Sequence, residues 1–327
     1  MNRKNPLEIV STDNKSQEKH NKNKRHSRQE AQANFDRLWL QEPERFDVTR
    51  SARERTRVQR TIQLLKDVIS PKEKTVADIG CGSGVISKKL RDEGATVDAV
   101  DVSQNALKEL QTKNFEGIHP IHDYMPNTNL KDSHYDIVLA TELIADIPPD
   151  QYRIFFSELA RVVNAEGYVI CSTPIDIQSE NALERFAELA STEFNITKWT
   201  FSYHYLQIKF LDFFKAPHRF VKASKNKIYR EKSLNKRYSL SRWWFKINST
   251  PPLSYLWIVI KPLMYPFCSL LEDNETVLLN LEKVTKFFWK ESGISQAIFI
   301  AKRKPIIPPT EKEFQPKELK HKKQVWE

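Results

Sequence analysis

The sequence predicts an α/β protein built on a doubly wound, mainly parallel sheet. Three observations carry this expectation. Short apolar runs alternate with helical patterns through the middle of the chain; three of only seven glycines fall together at Gly80, Gly82 and Gly84; and acidic residues close successive apolar runs. At 327 residues and 39% hydrophobic content the chain can bury a sizeable core, as two domains or as one domain with a large insertion.

Taken in order, residues 1–33 are polar, basic and nearly free of large apolar side chains, so they are expected to stay a disordered tail that cannot offset ordering entropy. From Phe35 the run FDRLWL supplies anchors. SARERTRVQRTIQLLKDVI then places Val58, Ile62, Leu65 and Ile69 at helical spacing before Ser70 and Pro71 stop the helix. Strands are predicted at 75–79, 96–102, 118–122, 135–141 and 167–173, with helices at about 83–91, 104–113, 149–163 and 179–189. SQAIFIAKRK is a further strong strand candidate and FNITKWTFSYHY a weaker one.

The chemistry-bearing residues gather at the carboxyl ends of these strands, where open α/β sheets bind ligands. TVADIGCGSGVISKKL puts Asp78 two residues before a G-x-G-x-G loop that opens a helix and lets backbone approach a ligand. A carboxylate there repels a pyrophosphate but suits the ammonium of an amino-acid moiety. VDAVDVS ends the second strand with Asp101, 21 residues after Gly80, where a carboxylate accepts hydrogen bonds from both hydroxyls of a ribose, and Val102 follows it. IHDYMP sets Asp123 and Tyr124 after the third strand, although an Asp-Tyr pair there is also ordinary turn chemistry. YDIVLATELIADIPP leaves Thr141, Glu142 and Asp146 at the exit of the fourth, where the two acids could equally cap a helix. Cys81, inside the loop, has no neighbours that argue for a nucleophile.

These residues resemble a class I S-adenosylmethionine-dependent methyltransferase, over roughly 76–173. D-I-G-C-G-S-G followed by V-D-A-V-D-V-S is the specific part. The resemblance implies that the loop with Gly80, Cys81, Gly82 and Gly84 contacts the methionine part of S-adenosyl-L-methionine, Asp101 the ribose, and Asp123 with Tyr124 the adenine. It also implies a seven-stranded Rossmann-like sheet whose last two strands pair antiparallel. The chain then divides into a tail (1–33), a catalytic domain (34–205 with 294–304), an insertion (206–293) and a second tail (305–327). The subgroup nearest in character is the small-molecule and ubiquinone-type O-methyltransferases, which often carry Glu-x-x-Glu-His after the fourth strand. This chain reads Glu142-Leu143-Ile144-Ala145-Asp146 instead, without the second acid or the histidine, so neither a quinone acceptor nor a metal is carried over. No catalytic base is singled out.

Charge is uneven. Lys and Arg outnumber Asp and Glu by eight to four in residues 1–30, twelve to two in 205–246 and eight to four in 302–327, against a net charge of +10 for the whole chain. The insertion interleaves its bases with aromatic residues and then runs apolar from 253 to 271, interrupted by Lys261, Pro262 and Pro266. It reads as an acceptor lid or as an interfacial element on an anionic membrane surface; a spanning helix would strand SQAIFIAKRK away from its sheet. The expected acceptor is a small or lipid-like molecule. RNA, held by basic and stacking side chains, is the less favoured partner, and a non-catalytic binding module of the same fold is the third reading. The start of the chain has no apolar core behind a basic run, so no secretory signal is expected. Three cysteines without C-x-x-C spacing give neither a zinc ribbon nor a disulfide framework. A cytoplasmic protein, peripheral on the membrane, is the corresponding expectation.

Overall fold

The computed structural model describes residues 28–176, 181–235 and 239–305, and the expected tails before 28 and after 305 lie outside them. Seven strands form one sheet in the order β3-β2-β1-β4-β5-β7-β6: β1 (Thr75–Ile79), β2 (Thr96–Asp101), β3 (Ile118–His122), β4 (Tyr135–Thr141), β5 (Val163–Pro174), β6 (Phe194–Ser202) and β7 (Gln296–Arg303). The first five are parallel. β7 runs antiparallel between β5 and β6, which gives the expected antiparallel pair. The strand order reverses between β1 and β4, the switch point at which such sheets open a crevice.

Two faces are covered, and the apolar runs of the central strands reflect it. On one face α2 (Ala52–Lys66), α3 (Val85–Asp92) and α4 (Gln104–Thr112) pack Leu64, Leu65, Leu90 and Leu110 against Val76, Val97 and Leu139. On the other, α5 (Tyr152–Val162) and α6 (Ala182–Glu193) bring Phe155, Phe156, Leu159 and Phe186 to Val138, Val169 and Phe299. Helix starts follow local chemistry. The Ser51 hydroxyl accepts from the Glu54 N–H to open α2, and the Ser103 hydroxyl accepts from the Ala106 N–H to open α4.

Three differences from the sequence reading matter. First, a helix, α1 (Arg28–Gln41), occupies part of the segment assigned to the tail. Its anchoring is not an apolar stripe but two points, Ala31 and Trp39, together with polar docking on α4: Asp36 accepts from the Ser103 hydroxyl at 2.7 Å and from the Asn105 N–H at 3.2 Å. Second, the insertion between β6 and β7 is helical throughout its described residues: α7 (Tyr205–Phe214), α8 (Ala216–Lys225), α9 (Lys227–Asn235), α10 (Ser239–Asn248), α11 (Leu253–Asp273) and α12 (Glu275–Trp289). Third, Pro262 and Pro266 lie inside α11 without ending it.

The insertion is fastened to the sheet domain through buried charge. Glu282 on α12 takes both guanidinium nitrogens of Arg60 on α2, accepts from the Tyr203 N–H at 3.1 Å, and lies 3.1 Å from His204 Nε2. Burial by itself raises the proton affinity of Glu282, but His204 and Arg60 outweigh it and hold the carboxyl at about 2. Nearby, Arg55 of α2 meets Glu275 at 2.7 Å and donates to the Asp273 carbonyl at the α11–α12 corner.

Candidate functional site

A cleft of about 1660 Å3 opens at the carboxyl ends of β1, β2 and β4. Small-molecule pockets usually measure ~300–1000 Å3, so this one has room for two ligands side by side. Its floor is the loop after β1. Gly80, Gly82 and Gly84 all hold positive φ, at 76°, 55° and 76°, a conformation L side chains rarely adopt. Gly80 and Gly82 line the cleft. Gly84 does not: it faces inward, where an added Cβ would come within 2.4 Å of Leu110 Cδ1. Its lack of a side chain is thus required by packing at the start of α3.

Asp78 ends β1 buried, with Oδ2 accepting from the Ser87 hydroxyl at 2.6 Å. Burial raises its pKa to about 6 against the Ser87 bond, and the nearby Asp101 charge pushes in the same direction as burial. Asp101 accepts from the Gly82 N–H at 2.9 Å through one oxygen and from the Ser103 N–H at 2.8 Å through the other. Each oxygen keeps a second lone pair, the minimum needed to receive a diol. Burial raises Asp101 as well, opposed by those two N–H groups. Val102, Tyr124 and Thr141 line the same cleft. Cys81 also lines it, and burial drives its thiol well above the usual range, which keeps it protonated.

Asp123 borders the cleft but is already engaged. It accepts from the backbone N–H of Tyr124 at 2.9 Å and of Asn129 at 2.6 Å, and Arg28 of α1 reaches it at 3.2 Å. The carboxylate thus fixes the turn after β3, and Asp123 and Tyr124 both line the cleft.

Sequence reasoning missed three contributors. The cover of the cleft comes from α1 and the turn after it, where Trp39 lies against Gly82 and stacks on Phe46 with ring centroids 4.7 Å apart. Among the described residues, none that lines this cleft comes from 206–293. Glu54 and the buried Arg57, joined by two hydrogen bonds of 2.9 and 2.8 Å, form a charged wall from α2 that carries no motif. Gln296 of β7 donates to Glu142 Oε1 at 3.1 Å, a contact spanning the insertion in sequence.

Glu142 sits in a left-handed backbone conformation, with φ 62°, a strained position that its neighbours fix. The Ser172 hydroxyl donates to Oε1 at 2.8 Å while the Glu142 N–H donates to the Ser172 carbonyl. Burial raises its pKa, with Arg57 and Ser172 opposing. Asp146, in the short 3-10 turn Leu143–Asp146, is likewise raised by burial and lies near Arg45. Among the described residues no group of three or more His, Cys, Asp or Glu side chains is placed to share a metal ion.

These residues fit S-adenosyl-L-methionine. A buried carboxylate, Asp78, sits beside the glycine loop where an ammonium would lie, Asp101 stands one strand over where a ribose would lie, and the Tyr124 side chain lines the same cleft. The expected result of Asp101→Ala is cofactor binding weakened by about 1.5–3 kcal/mol, since a charge-assisted pair of bonds and the anchor of the Gly82 N–H are lost together. Isothermal titration of a folded variant with unchanged affinity would remove the ribose assignment.

Comparison with known proteins agrees with this geometry. A family model described as "Methyltransferase domain" matches residues 76–167. The chain is 33% identical over 106 residues to the ubiquinone biosynthesis O-methyltransferase of Nitrosomonas europaea, covering 31% of this chain and 44% of that one. It is 30% identical over 139 residues to the ribosomal protein L11 methyltransferase of Campylobacter fetus, covering 42% and 48% respectively. The chain thus spans less than half the length of these curated relatives. Among solved structures, the PH0226 protein of Pyrococcus horikoshii is similar with a TM-score of 0.42 and 19% identity, over 50% of this chain and 92% of that one.

Proposed function

We propose that the chain, whose residues 76–167 match the methyltransferase-domain family model, transfers a methyl group from S-adenosyl-L-methionine to a small-molecule or lipid-like acceptor. The observation that carries this reading is the size of the cleft together with the layout of its acids. In this reading Asp78, Gly82 and Asp101 hold the cofactor, and Glu54, Arg57, Glu142 and Asp146, which line the same cleft, bound the acceptor's end.

The cofactor supplies a methyl carbon activated by a positive sulfur. That carbon would pass to a lone pair of the acceptor, with the carbon–sulfur electron pair kept by S-adenosylhomocysteine. A hydroxyl or amine acceptor also releases a proton. The protein's own tasks are alignment and exclusion of water. The bonds from Gly82 and Ser103 fix Asp101, and Trp39 on Phe46 roofs the loop. Glu142, fixed by Ser172 and Gln296 and with raised proton affinity, is the side chain at the acceptor end suited to hold the released proton.

The test is incubation of the full chain with methyl-labelled cofactor and separate lipid, metabolite, RNA and protein fractions. Label in a lipid or metabolite product supports the reading. Label confined to RNA or protein, or no transfer in any fraction with cofactor bound, overturns it.

A further inference from the structure

The exposed apolar surface of this protein is concentrated in one place. Among the described residues, all large apolar side chains that stand exposed lie in 206–293 apart from Leu40 and Ile154. None of that surface belongs to the cleft.

Helix α11 shows how it is organised. Ser254, Cys268 and Leu271 are buried and Trp257 half-buried, marking one stripe that faces the other helices of the insertion. Cys268 and Leu271 join Leu211 of α7, while Trp257 packs on Phe220 of α8 and donates to Asn248 at 2.9 Å. Both ends of the helix are therefore tied down. The opposite side carries Ile258, Val259, Leu263 and Tyr265, with Val259 66% and Leu263 62% exposed. Monomeric soluble proteins rarely leave so long an apolar face in water. Elsewhere in the insertion the paired rings Trp243–Trp244 and Phe287–Phe288 are exposed as well.

Charge indicates what covers this face. Lys225, Lys227, Lys232 and Lys246 are exposed within 205–246, where bases outnumber acids twelve to two, and Lys261 is exposed on α11 itself. A polyanion is the complementary partner. The apolar face separates the two kinds of polyanion, since aliphatic side chains such as Val259 and Leu263 offer no stacking surface to bases but insert readily among acyl chains.

We propose that the insertion is a docking surface for an anionic phospholipid bilayer, on which α11 lies in the plane of the interface. At 21 residues α11 is long enough to cross a bilayer, but its packed stripe and its fastened ends hold it against α7 and α8. Aromatic rings then sit at headgroup depth and lysines meet the anionic headgroups, an attraction that salt screens. This surface is separate from the methyl-transfer reading, so either can fail alone.

The experiment is co-sedimentation of the full chain with sucrose-loaded vesicles of phosphatidylcholine alone and of phosphatidylcholine mixed with phosphatidylglycerol. Binding to the mixed vesicles only, reduced by added salt, is expected. The double variant Val259→Asp/Leu263→Asp, altered only at exposed positions, should bind at least roughly tenfold more weakly, given the burial lost at each site. Lys225→Ser/Lys227→Ser/Lys232→Ser should lose most of the salt dependence. Cofactor titration and circular dichroism should match the parent for both variants. The proposal is overturned if the parent fails to bind mixed vesicles, if it binds neutral ones equally, or if the double Asp variant binds normally. It is overturned too if sedimentation analysis shows a dimer that Val259→Asp dissociates, or if RNA binds this face while vesicles do not.

Discussion

Asp78→Asn should give a more stable protein that binds its cofactor poorly. The carboxyl is buried and its pKa stands at about 6 against an ordinary 3.8. The folded state therefore holds a proton more tightly than the unfolded chain, and stability falls as pH rises from about 4 to about 6, then stays level. By linkage the penalty at neutral pH is of order 3 kcal/mol. Asparagine keeps an oxygen for the Ser87 hydroxyl and carries no charge, so the ligand-free variant should melt higher at pH 7 and lose that pH slope. Cofactor affinity should drop by at least about tenfold, because an ammonium loses its carboxylate partner. Thermal melts at pH 4 and pH 7 with titration of the cofactor decide it; an unchanged pH slope in the variant would show that Asp78 does not carry the burden.

Glu282→Ala has the largest expected cost. The substitution leaves the Arg60 guanidinium and the Tyr203 N–H without their common acceptor in a buried setting, and removes the carboxylate beside His204. Removing one partner of such a group typically costs about 3–5 kcal/mol. The pH dependence has the opposite sign to that of Asp78. The folded pKa of Glu282 is depressed to about 2 from 4.5, so its contribution is complete above about 4.5 and is lost as pH falls toward 2. Urea denaturation at pH 7 measures the loss, with Glu282→Gln as the smaller, shape-preserving control. A loss below about 1 kcal/mol, the scale of an exposed pair, would mean the junction is solvated.

The parts of the fold legible in the sequence are those whose signal is local. β1, β3 and β4 fall on the predicted residues because continuous apolar runs such as TVADI and YDIVLAT are bounded by turn residues on both sides. The chemistry at their ends follows from position alone: Asp78, Gly82 and Asp101 meet because parallel strands present the same end to one crevice. What was hidden depends on partners distant in sequence. α1 shows no apolar stripe, since Ala31 and Trp39 suffice once Asp36 docks on α4. Arg57 and Glu54 look like any charged pair on a helix until the helix is laid beside the cleft. Gln296 and Glu142 are joined only when β7 enters the sheet. The packing of Leu110 behind Gly84 and the turn that Asp123 fixes also depend on residues outside their motifs.

The placement of β7 also sets an order of events during folding. It is the last strand among the described residues, yet it pairs with β5 on one side and β6 on the other. Everything from Tyr205 to Gly293 must emerge and loop back before that slot is filled. Loop-closure entropy rises only slowly with length, so the penalty in stability is modest, but contacts this far apart in sequence are made late. Until then β5 shows an open edge whose core includes Val169, Ile170 and Cys171. Such an edge invites pairing with another chain. A truncation that removes β7 would therefore expose this edge permanently, and the shortened chain should aggregate rather than persist as a smaller domain.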